Sequence, residues 1–255
     1  MSVRRVGAVA AMHARDLSRR RVALAILILL PVLLYLSAEL TPPDPATAQF
    51  LAENPGEKAA SESWILTTGG IGPVWSVAVA ALFVILGSRA ADQRLLLAGY
   101  RPTELLTGRI GTVLGLGAVI TPLFTALIWA IRDVDLWLLA LGIVLLVIVA
   151  VGHGVVVAAL VRDEMEGVLA IIGITGVQMM MVGQVWLPMW GGSELMLRSA
   201  GLPDAAEVGS AVVHSLGYTA VLIGIGALVW ARRVRLCAPA PLGAGAAIDA
   251  VGRRT

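Results

Sequence analysis

The sequence predicts an all-α polytopic membrane protein with six transmembrane helices and both termini in the cytoplasm. Three observations carry that expectation. Of 255 residues, 58% are hydrophobic and 14% charged, with a mean hydropathy of +0.87, whereas soluble domains carry about a quarter charged residues. Six apolar runs, near 22–38, 71–87, 110–131, 136–161, 168–190 and 211–231, are long enough for a hydrocarbon core of about 30 Å, the first two at the short limit. Every basic residue except Lys58, Arg132 and Arg198 falls in a piece that is cytoplasmic if the N-terminus is inside, which satisfies the positive-inside rule.

In chain order, residues 3–21 place Val3, Val6, Ala10, Ala14 and Leu17 on one helical face. Arg4, Arg5, Arg15, Asp16 and Arg19 fall on the other. That pattern suits an interfacial helix lying along the membrane; an unstructured basic tail fits the composition equally well. A basic leader before an apolar run also resembles a signal peptide, but Leu36-Ser37-Ala38 is a poor cleavage site, so the first run is expected to be retained.

The outside loop 39–70 carries four prolines, together with Phe50, Leu51 and Trp64 as material for a partly ordered cap. Arg132-Asp133-Val134-Asp135 predicts a tight outside turn, and Arg162–Gly167 a short inside one. In the segment 188–210, Pro188, Gly191 and Gly192 break the fifth run. Two short helices, Glu194–Ala200 and Asp204–Ala211, fit there around Gly201-Leu202-Pro203, either dipping into the membrane or forming a plain loop. Gly108, Gly111, Gly115 and Gly117 on the third run, and Gly217, Gly224 and Gly226 on the sixth, offer close helix approach. Residues 1–235 are expected to form one six-span domain, and 236–255 a flexible cytoplasmic tail.

Between the second and third runs lies a polar island, Ser88 to Arg109. Residues 89–98 are good helix formers, and Gly99 stands where a glycine ends a helix. Arg101 is pushed to extended backbone by the proline after it, and Pro102 suits a helix's first position. The island therefore predicts a helix, a break and a second helix on the cytoplasmic side.

Several chemistries lack their residues. No Asp, Glu, Lys or Arg lies in the middle of a span, so ion coupling through a buried charge is unsupported. Lys58 is the only lysine and no P-loop motif is present, so ATP hydrolysis belongs elsewhere. His13, His153 and His214 lie in separate segments, and Cys237 is the only cysteine, so neither a metal site nor a disulfide is motivated. The basic residues sit at membrane boundaries rather than in a stripe with aromatics, which excludes nucleic acid as the expected partner. Within the spans, His153, Gln178, Met180 and Gln184 stand out. They fit a route for an apolar cargo, or helix-to-helix hydrogen bonds with methionine as gap filler.

This layout, with the loop Arg94-Leu-Leu-Leu-Ala-Gly-Tyr-Arg-Pro-Thr-Glu-Leu-Leu-Thr-Gly-Arg109, resembles the membrane (permease) subunit of a type-2 ATP-binding-cassette (ABC) exporter. The resemblance implies a non-catalytic transport subunit in the cell inner (plasma) membrane. A separate ATPase subunit carrying ATP and Mg would dock on Arg94, Gly99, Arg101, Pro102, Glu104 and Arg109, with Asp163 and Glu164 as a smaller contact. It further implies a second permease subunit, identical or different, and a hydrophobic or amphipathic cargo such as a drug, lipid or peptide. Two readings from other classes stand beside it. One is a lipid-modifying membrane enzyme using His153 or His214 as a base; the other is a non-catalytic scaffold.

Overall fold

The computed structural model describes residues 2–19, 21–41, 45–53, 55–181, 183–202 and 206–236, and these are helical nearly throughout. The order is α1 (Val3–Arg19), α2 (Arg21–Leu40), α3 (Pro45–Glu53), α4 (Pro55–Leu86) and α5 (Arg89–Leu97). It continues with α6 (Pro102–Ile131), α7 (Leu136–Leu160), α8 (Glu164–Met180), α9 (Trp190–Ser199) and α10 (Val208–Leu236). Among the described residues, four stretches are long and apolar enough to cross a membrane: Ser61–Leu86, Pro102–Ile131, Leu136–Leu160 and Val208–Arg233. The chain is thus a plausible multi-pass membrane protein. Cys237 and the tail after Leu236 lie outside the described residues.

α4 and α7 form the centre, and small residues bring them together. A Cβ on Gly154 of α7 would lie 2.5 Å from the Ala78 carbonyl oxygen of α4, so only glycine permits this approach. α6 closes on both partners, with Phe124 against Gly72 and Val147 against Gly117. α10 packs on α7 through Gly226 against Val155 and Leu222 against Gly152. The outer faces of α6 and α10 leave Leu114, Val119, Leu123, Val213, Val221 and Leu228 uncovered. Gly111, Gly115, Gly217 and Gly224 meet no neighbour within 4 Å. Of the seven glycines expected to pack helices, Gly108, Gly117 and Gly226 do so within this chain.

The two ends of the bundle are fastened differently. At one end, Arg132 after α6 makes a two-toothed ion pair with Glu39 of α2, at 2.9 and 3.0 Å. Asp135 caps α7 by accepting from the backbone N–H groups of Trp137 and Leu138, as an N-cap aspartate does. At the other end, Arg233 of α10 donates to the last carbonyls of α7, on Leu160 and Val161.

Three expectations need correction. The loop predicted over 39–70 is largely helical: α4 begins at Pro55 rather than near 71. The reason is local, since Pro55 suits a first helical turn and Glu57–Glu62 contains good helix formers. Phe50 and Trp64, expected inside a cap, are about half exposed, and the Leu51 side chain lies outside the described residues. The fifth run does not continue to 190: its helix stops at Met180, and Gly183 adopts φ +90° in the irregular stretch that follows. Finally, α1 buries Val9, His13 and Leu17; of the expected apolar face Leu17 is buried, Val6 and Ala10 are half-buried, and Val3 and Ala14 are exposed.

Of the two short helices expected in 188–210, the first exists as α9, ended by Gly201 at φ +69°. The second merges into α10, and 203–205 lie outside the described residues. α9 runs back along the first half of α7. Its Gly192 nests against Leu146 and Gly142, and the Ser199 carbonyl accepts from the Asp135 N–H at 2.7 Å. Leu146 lies ten residues into α7, about 15 Å along its axis, so α9 reaches well down the bundle.

Candidate functional site

The α5–α6 corner is built from short-range signals. Ser88 finishes α4 by donating to the Val84 carbonyl at 2.6 Å. α5 then closes with Gly99 at φ +83°. The Gly99 N–H donates to the Leu96 carbonyl and the Tyr100 N–H to that of Leu95, each at 3.0 Å. This paired closure is a Schellman motif, which the left-handed glycine makes possible. Arg101 is extended, with φ −85° and ψ 145°, and Pro102 opens α6.

Glu104 ties three segments together here. Its carboxylate accepts from the Arg101 N–H at 3.1 Å and from the Ser2 N–H at 2.9 Å. Arg5 of α1 donates to the Gly99 carbonyl at 2.8 Å and lies over the Tyr100 ring, 5.2 Å from its centre. One turn further along α6, a Cβ on Gly108 would meet Val9 Cγ1 at 2.7 Å, and Thr112 donates to the Ala10 carbonyl at 3.1 Å. α1 is therefore a docked helix rather than a loose tail.

Beneath the corner lies a buried ion pair between Asp92 of α5 and Arg109 of α6. Their side chains are 4% and 0% exposed. The guanidinium also lies over the Trp230 ring of α10, 5.6 Å from its centre. Burial holds the nearby His13 imidazole below its usual 6.5; the Arg109 charge pushes the same way, while Asp92 and Asp16 oppose both. Four helices thus converge on one charged pair, and α5 cannot shift without taking α6 along.

The residues expected to meet a partner divide by exposure. Arg94, Gly99 and Arg101 are exposed, and Pro102 is half-buried. Glu104 and Arg109 are buried and bonded within the chain, so their part is to hold the corner's shape. Asp163 and Glu164 are exposed on the same end of the bundle, where Gly167 packs against Leu82 of α4. Asp163 caps α8 by accepting from the Glu166 N–H at 2.8 Å.

The polar residues expected within the spans come together only in part. Gln178 of α8 donates to His153 Nε2 of α7 at 3.1 Å and accepts from the Met189 N–H at 3.1 Å. Gln178 and Gln184 share the wall of a cavity of about 10 Å³ with Thr67, Met189 and Ser193, room for about one water molecule. Met180 faces away, 82% exposed. α10 grips the irregular stretch after α8 by two side chains. His214 donates to the Val185 carbonyl at 2.7 Å, and Tyr218 to that of Trp186 at 2.6 Å.

Several participants were not singled out from sequence: His13 and Trp230 at the corner, Asp92 as the partner of Arg109, and the His214–Tyr218 grip. Only Asp92 had a local signal, as an acid one helix away from a basic residue across a glycine break. Among the described residues, no three His, Cys, Asp or Glu side chains gather as metal ligands do. The chain matches no family model and no curated protein sequence.

Proposed function

We propose that this chain is the permease subunit of a type-2 ABC exporter, driven by a separate ATPase subunit. The observation that carries this reading is the α5–α6 corner. Its outer surface offers Arg94, Leu97, Gly99 and Arg101 to a partner, Leu97 being 77% exposed. Its inner surface is bound to α6 by the Asp92–Arg109 pair and to α1 by Glu104 and Arg5. A push on the outer surface is therefore delivered to two membrane-associated helices at once.

In this reading α2 and α8 supply the first and fifth crossings, and the termini and the corner are cytoplasmic. α9 then stands in the outer half of the membrane. Two such subunits, alike or different, enclose the path in the cell inner (plasma) membrane, and the partner ATPase holds ATP and Mg. The exposed apolar faces of α6 and α10 are available to lipid or to the second subunit. The cargo is hydrophobic or amphipathic, in keeping with the sparse charge along the spans.

The test is affinity purification of the chain from its native host in gentle detergent, with mass spectrometry of companions. A stoichiometric companion carrying a P-loop is expected. A preparation without any nucleotide-binding companion, even after crosslinking, would remove the support for this reading.

A further inference from the structure

We infer that the groove between α1 and the α4–α5 junction is a binding site for the headgroup of an anionic phospholipid. The groove has a volume of about 630 Å³ and is lined by Ala8, Ala11, Met12, Arg15, Arg19 and Ala91, with His13, Asp16, Gly87 and Ser88 completing it. That volume lies within the usual range of small-molecule sites.

The lining is divided along its length. Ala8, Met12, Arg15 and Arg19 recur at helical spacing on α1, so this stripe is apolar at one end and cationic at the other. Among the described residues, the lining carries two exposed arginines, Arg15 and Arg19, and one carboxylate, Asp16. An acidic peptide would call for cations along the whole groove. The cationic end adjoins Leu17, which meets Phe83 and Val84 of the apolar stretch, so a lipid phosphate between Arg15 and Arg19 has its acyl chains on that side and its headgroup against Ala8, Ala11 and Met12.

Position favours the same ligand. Gly87 and Ser88 directly follow the apolar stretch Ser61–Leu86, so the groove opens where that stretch would leave the hydrocarbon. A headgroup held there bridges α1 to the corner, alongside the Val9–Gly108 and Ala10–Thr112 contacts that dock α1 on α6. The inference rests on the membrane orientation proposed above, and not on the presence of an ATPase partner.

The experiment is native mass spectrometry of the full chain in detergent, supplied with phosphatidylglycerol or phosphatidylcholine of identical acyl chains. Selective retention of phosphatidylglycerol is expected. Arg15→Gln with Arg19→Gln should weaken it about 30-fold, from two surface-level cation–phosphate attractions. Ala11→Trp, which fills the groove and leaves both cations, should weaken it as well, whereas Arg232→Gln on α10 should not.

Equal retention of the two lipids, or unchanged retention in the double variant, overturns the inference. So does displacement of phosphatidylglycerol by millimolar inorganic phosphate, which would mark a simple anion site, or by a co-purifying acidic protein. Because the isolated chain is measured, these outcomes are independent of whether a P-loop companion is found.

Discussion

Removing one member of the Asp92–Arg109 pair should cost far more than removing a surface ion pair. Exposed pairs contribute about 0–1 kcal/mol. Here the side chains are 4% and 0% exposed, so loss of one partner strands a buried charge, at a cost of about 3–5 kcal/mol. In Asp92→Leu the Arg109 guanidinium keeps only the Trp230 face. Its Nε and Nη1 atoms have no hydrogen-bond partner among the described residues, so none of these is in reserve to take up the freed donor. Replacing both members, with Asp92→Leu and Arg109→Met, removes both charges and fills the site with apolar atoms, and should be close to neutral. The assay is equilibrium unfolding of the four proteins in mixed micelles, with hydrogen exchange of α5 recorded alongside. A double variant that regains at least about 2 kcal/mol over either single one is the expected outcome. Singles that each cost less than about 1 kcal/mol, or strictly additive losses, would refute the claim that this pair is dry and joins α5 to α6.

Three further outcomes follow from other contacts. Gly108→Val drives a side chain into Val9 and toward the Val6 carbonyl; overpacking of about 1–3 kcal/mol should undock α1. Faster exchange confined to residues 3–19 is expected, and unchanged protection there would count against the docking. Docking of α1 should also depend on pH. His13 is held neutral with a folded pKa below 6.5, so its contribution is complete above about pH 6.5 and declines as the pH falls toward the lowered value. Protection of α1, taken relative to the intrinsic exchange rate at each pH, should fall as the pH drops below about 6.5, and His13→Gln should flatten that fall; constant protection in the native chain would contradict it. Gln178→Leu removes the acceptor for the Met189 N–H and the donor to His153. A loss of about 1–3 kcal/mol, with faster exchange over the segment after Met180 and none over α1, is expected from unfolding and exchange measurements.

What could be anticipated from sequence was set by short-range chemistry. Gly99 and Pro102 announce the end of α5 and the start of α6 because one needs a left-handed backbone and the other forbids a hydrogen bond there. Asp135 similarly marks the first turn of α7. The α4 start is not legible locally because the polar stretch 55–60 suits either a loop or a helix, and only its continuity with the apolar run decides. The break comes after Met180 rather than at Pro188, the breaker visible in sequence. Gly183 and the carbonyls caught by His214 and Tyr218 impose it earlier, and those partners are some thirty residues away.

The site divides in the same way. Its exposed members, Arg94, Gly99 and Arg101, sit within a few residues of the glycine break that singled them out. Arg109 also lay in the motif, but its burial depends on Asp92, 17 residues earlier, and on Trp230 of α10. No local pattern encodes such a meeting. The glycines make the same point, since Gly108 and Gly111 look alike in sequence and only Gly108 faces another helix.

Whether an ATPase docks on the corner is tested most directly by photocrosslinking in native membranes. A photoreactive residue at Leu97, on the exposed face of α5, is compared with one at Trp137, 81% exposed at the opposite end of the bundle. The exporter reading predicts that position 97 captures a P-loop protein and position 137 does not. Capture of no nucleotide-binding protein from position 97, at normal expression, would contradict it.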